Sequence, residues 1–205
     1  MPRFRILLLL TGCLAIAVTL GACGGDDDDG GGSDEDQIAE VIETGATSTD
    51  PDDCSKLQTD KSLEQSELTL GDETALEQCE KNAPDGDNNP DSVDVTDIAV
   101  DGDTATASAA FTGGPQDGST YSVALVKEDD QWKLDEVTDI PVFNADSFRS
   151  GLEEELTSTE DVPPEIASCI TDAFDATSDE DLKALLLSGS EDDFLALVGD
   201  CIPTG

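Results

Sequence analysis

The chain has 205 residues, with 49 Asp and Glu against 9 Lys and Arg, a formal net charge of −40, no histidine and 4% aromatics. Neutralising phosphates takes Lys and Arg, so nucleic acid is excluded as a partner. Without histidine, Ser-His-Asp and Cys-His catalysis and histidine-ligated metals are excluded too.

The N-terminus reads as an address. Arg3 and Arg5 form a short basic stretch, and Ile6 to Leu20 is apolar apart from Thr11, Gly12, Cys13 and Thr19. The stretch is shorter than the roughly 20 residues that a membrane-spanning helix needs. It ends in Leu20-Gly21-Ala22-Cys23. That ending resembles the lipobox of bacterial lipoprotein signals, a branched apolar residue and two small ones before a cysteine. The resemblance implies cleavage of residues 1–22, lipid on the Cys23 sulfur, and residence on the extracytoplasmic face of the cell membrane. Residues 23–35 follow as an acidic Gly/Asp tether, too polar to pack. Several acyl methylenes at about 0.8 kcal/mol each would hold the body against repulsion from anionic lipid.

Of the six cysteines, Cys13 leaves with the signal and Cys23 carries lipid. Four remain: Cys54, Cys79, Cys169 and Cys201. An even number in an exported chain reads as disulfides. Three pairings are possible, and Cys54–Cys79 with Cys169–Cys201 is preferred because each pair then lies within one domain. A four-thiolate metal site is disfavoured by the absence of any CxxC spacing.

Asp34-Glu35-Asp36-Gln37 precedes Ile38, Val41, Ile42 and Ala46, which predicts an amphipathic helix ending near 47–50, before Pro51. Residues 52–60 predict a short helix around Cys54 and Leu57, and 72–82 another holding Leu76 and Cys79. Residues 84–92 are a loop by composition. Asp85-x-Asp87-x-Asn89 begins like a calcium loop, but Pro90 stands at the glycine position and Thr96 at the glutamate position.

Four strands are predicted next. In Val93–Val100 a bulge at Thr96–Asp97 would bring Val93, Val95, Ile98 and Val100 to one face. Asp101-Gly102 signals a two-residue hairpin. Strand 103–112 turns Ala105, Ala107, Ala109 and Phe111 to one side. Strand 119–128 does the same with Tyr121, Val123 and Leu125. Asp129-Asp130 turns the chain into strand 131–138, with Trp132 and Leu134 inward and Lys133 and Asp135 outward. Hairpin-linked strands with one apolar face make an antiparallel meander that the preceding helices must cover.

The segments VDVTDIAVDGDTATASAAF and YSVALVKEDDQWKLDEV, behind small cysteine-bearing helices, resemble cystatin-like, nuclear transport factor 2-like (SnoaL-like) domains. They look closest to the lipoprotein branch of that group in high-GC Gram-positive bacteria. The resemblance implies helices packed on a curved four-stranded sheet that encloses a cone. No acid or tyrosine of that cone maps onto this chain from the resemblance; Tyr121 and Trp132 face inward and read as core residues, with a place in a pocket as the alternative.

Beyond the bridge 139–150, helices are predicted at 146–157, 163–176, 178–187 and 190–201, with Ser178 and Ser190 as caps. The expected organisation is an α+β domain at 36–140 and a small all-α, disulfide-stapled unit at 141–205. The expected function is a non-catalytic binding or interaction module held at the membrane by lipid on Cys23, with a protein or small-molecule partner and no cofactor. The alternative is a cone-pocket enzyme or carrier of a small apolar ligand. An open pocket of about 300 Å³ or more, holding a carboxylate with a raised pKa, would favour that alternative. The acidity itself reads as solubility, salt adaptation or capture of cations.

Overall fold

The computed structural model describes residues 33–67, 74–83, 86, 89–158 and 162–202. The signal peptide, Cys23, most of the tether, Asp85 and Asp87 lie outside the described residues.

Helix α1 (Asp34–Thr47) starts where the carboxylates predict. The Ser33 hydroxyl accepts from the Asp36 N–H, and the Asp36 carboxylate accepts from the Ser33 N–H at 3.1 Å, a reciprocal cap. Residues 34 and 35 of the expected tether are thus its first turn. Its buried face is Ile38 and Ile42, each contributing about 1.5–3 kcal/mol through burial.

Two helices, α2 (Asp52–Leu57) and α3 (Asp60–Ser66), replace the single one expected at 52–60. The break at Gln58-Thr59 has a cause. The Thr59 N–H donates to the Leu134 carbonyl at 2.9 Å, pinning the chain to the sheet. The Thr59 hydroxyl then caps α3 by accepting from the Ser62 N–H. Helix α4 (Ala75–Asn82) follows, opened by a Thr74–Glu77 capping box.

The sheet is a four-stranded antiparallel meander in the order β1-β2-β3-β4, with β1 Ser92–Asp101, β2 Thr104–Thr112, β3 Thr120–Glu128 and β4 Gln131–Val142. The β1/β2 register slips between Thr96 and Ala99, and Asp97 sits at φ 53°, so the expected bulge is present. It turns Val93, Val95 and Ile98 to the core, but Val100 remains 40% exposed beside the hairpin turn. The first hairpin loop is Gly102-Asp103, one residue later than expected. Gly102 takes φ 64° at the first loop position, as type II′ turns favour. Asp129 and Asp130 both have positive φ, as a type I′ turn requires.

The core on the apolar face is Ile38, Ile42, Ala105, Ala107, Ala109, Val123, Leu125 and Trp132. Lys133 and Asp135 are half-buried, because α2 and α3 run along their edge of the sheet: Lys133 donates to the Ser55 carbonyl and Asp135 accepts from Thr59.

Helices α5 (Ala145–Ser158), α6 (Pro164–Ala176), α7 (Asp179–Ser188) and α8 (Glu191–Val198) complete the fold. A 3₁₀ turn, Gly199–Cys201, forms the end of what was expected to be one helix to 201. These helices close on Ile170, Phe174, Leu182 and Val198. The disulfides are Cys54–Cys79 and Cys169–Cys201, as preferred. The architecture is the expected α+β one, with a disulfide in each helical part.

Candidate functional site

The inward face of β2 carries alanine at 105, 107 and 109, where its neighbour β3 carries Val123 and Leu125. Small side chains under a helix leave volume that larger ones would fill. A cavity of about 330 Å³ lies at the Ala109 end of that face, between Ile42 and Ala46 of α1, the Cys54–Cys79 bridge, and Ala109 and Tyr121 of the sheet. It exceeds the size at which small-molecule sites begin, about 300 Å³.

Tyr121 stands in its wall with its ring against Phe111, centroids 4.9 Å apart. Burial pushes the phenol up to about 12, so it stays protonated and can both donate and accept a hydrogen bond. Trp132, the other possible pocket residue, is placed elsewhere. It is 2% exposed and its indole N–H donates to Asp34 Oδ1 at 2.9 Å. Lys127 Nζ donates to the same oxygen at 2.9 Å and lies 5.4 Å from the indole centroid. The hydrogen bonds from Lys127 and then Trp132 hold the Asp34 carboxyl below its usual range. Trp132 thus ties α1 to the sheet.

Sequence reasoning missed the polar part of the cavity wall, which includes the carboxylates of Asp50, Asp53 and Glu67 and the amide of Gln116. Glu67 follows the last turn of α3, and burial pushes its carboxyl up. A hydrogen bond from Asn82 at 3.5 Å opposes that rise and the charge of Glu155 adds to it. Gln116, in the β2–β3 loop, holds a buried side-chain oxygen that no described residue satisfies. Nothing in the sequence marked these two, because neither belongs to a periodic face or a motif. Among the described residues lining the cavity there is no lysine or arginine. The arrangement suits an apolar molecule with one or two uncharged polar groups, which Tyr121 and Gln116 can meet.

Among the described residues no helix is long and apolar enough to cross a membrane. None of the curated proteins and none of the solved structures matches the chain. Residues 59–140, from the cap of α3 into β4, match the family described as low molecular weight antigen MTB12, C-terminal domain. The match covers less than half of the chain, holds most of the cavity's sheet wall, and fits a secreted or surface-associated protein.

Proposed function

We propose that the protein is held at the outer face of the cell membrane by lipid on Cys23 and works there as a non-catalytic binding module, its cavity over Tyr121 taking a small, largely apolar molecule. The observation that carries this reading is the cavity itself, about 330 Å³ with a protonated phenol and an unsatisfied amide oxygen in its wall. Of the two expectations drawn from the sequence, this joins the membrane-held module to the carrier. The cavity's size and the raised Glu67 carboxyl in its wall are what the enzyme-or-carrier alternative called for, and the carrier form is taken because the protonated phenol supplies a hydrogen bond and no general base. The lipobox Leu20-Gly21-Ala22-Cys23 supports the anchor, and the resemblance to cystatin-like domains supports a sheet that encloses a ligand.

Two measurements test it. Mass spectrometry of native membrane material should find acyl mass on Cys23, and Cys23→Ala should leave the membrane fraction; an unacylated residue 23 removes the anchor. For the cavity, 1-naphthol and naphthalene serve as probes by calorimetry. Tyr121→Phe should weaken 1-naphthol about five- to tenfold, as loss of one hydrogen bond predicts, and leave naphthalene unchanged. No binding of either probe, or equal weakening of both, rejects the site.

A further inference from the structure

A second cavity, of about 500 Å³, shares Ser66, Glu67, Asn82 and Gln116 with the first. Its remaining wall comes largely from the C-terminal helices. Phe148 of α5, Phe174 of α6 and Phe194 of α8 line it, the Phe174 centroid lying 6.0 Å from that of Phe148 and 6.2 Å from that of Phe194. Two carboxylates, Glu67 and Glu155, border the same space, and among the described lining residues there is no lysine or arginine. The guanidinium of Arg149, on α5, is turned to the Phe174 and Thr177 carbonyls and to Asp179.

We infer that this cavity binds an organic cation, an amine or quaternary ammonium with an apolar body. Three features converge on that class. Aromatic faces attract a cation electrostatically while accepting its methyl groups as apolar contact. Two like charges, Glu67 and Glu155, border one space and repel, and a cation between them removes that repulsion. A body of net charge −40 draws cations toward its clefts and repels anions. An anionic ligand would meet both carboxylates. A neutral one would leave the repulsion between Glu67 and Glu155 in place. The inference does not depend on the Tyr121 cavity, and it gives the acidity a use beyond solubility.

The test is calorimetric titration of the intact protein with benzyltrimethylammonium at physiological salt. Neopentylbenzene is the uncharged control of the same shape and benzenesulfonate the anionic control. The cation should bind at one saturable site, and both controls should fail to saturate. Glu67→Gln, which keeps the shape and removes the charge, should weaken binding at least about fivefold. Leu186→Trp, which fills the space, should abolish it, and Tyr121→Phe should leave it unchanged. Unaltered melting of Glu67→Gln keeps that arm interpretable should Leu186→Trp fail to fold. Absent or unsaturable uptake, which is counter-ion condensation on the surface carboxylates, overturns the inference. So does equal binding of either control, or a Glu67→Gln protein that binds like the parent.

Discussion

Replacing Cys169 and Cys201 with serine should lower the unfolding free energy by about 3.5 kcal/mol, and so should replacing Cys54 and Cys79. Each figure follows from loop closure. The bonds span 32 and 25 residues, and opening a loop of that size returns about 3.5 kcal/mol of chain entropy to the unfolded state. The local consequences differ. Cys169 belongs to α6 and Cys201 to the turn after α8, so that bond secures the last described stretch against a core that includes Phe174 and Val198. Among the described residues around α2 to α4 the buried cluster is Cys54, Leu63 and Cys79, with Ala75, Leu76 and Ala83 half-buried against it. There the sulfur bridge makes up most of the core, and its loss should disorder α2–α4 and open the wall of the Tyr121 cavity. Urea titrations of the two double-serine proteins give the energies. The Cys54/Cys79 protein should also lose 1-naphthol binding, which the Cys169/Cys201 protein keeps. A loss below about 1 kcal/mol in either protein would show that native packing, and not closure of the chain, holds that segment.

The fold was legible where one interaction dominates. Carboxylates before an apolar stripe gave α1, paired aspartates gave the β3–β4 turn, and alternation at Ala105, Ala107, Ala109 and Phe111 gave the inward face of β2. It was not legible where a distant contact decides. Helix α3 holds one buried large apolar residue, Leu63, and its start depends on Thr59 meeting Leu134 of β4. Strand β4 passes through Pro141 to Val142, although proline argues against a strand. It can do so because β4 is an edge strand and the missing N–H deprives no neighbour. The site divides the same way. Tyr121 follows from period-two alternation, whereas Glu67 and Gln116 reach the cavity through a helix end and a hairpin loop, where no periodicity operates.

Three glycine-to-alanine exchanges should separate three energies, and the largest reports how α7 is tied to the sheet. Gly45 lies within α1 with open space where a methyl group would stand, so Gly45→Ala should stabilise by about 0.5–1 kcal/mol through helix propensity. Gly102 has equal space but φ +64°, so alanine there should cost about 1 kcal/mol for the left-handed backbone alone. Gly189, at the end of α7, has φ +55°, and its added Cβ would stand 2.6 Å from Gln65 Cα and 2.7 Å from the Gln65 carbonyl oxygen. Neither atom belongs to a side chain that can swing away, so α3 or α7 must move. Gln65 is poorly placed to yield. Its amide donates to the Val137 and Leu187 carbonyls, both at 2.9 Å, and its side-chain oxygen accepts from the Val137 N–H at 2.7 Å. One side chain thus bridges β4 and α7, and shifting it leaves half-buried backbone groups unpaired at about 1–3 kcal/mol each. Gly189→Ala should therefore cost about 3–5 kcal/mol in urea unfolding, several times the effect at Gly102. Were the two to cost the same, the α3–α7 contact would be giving way freely. Gln65 would then be a bystander, and no clamp between sheet and helices.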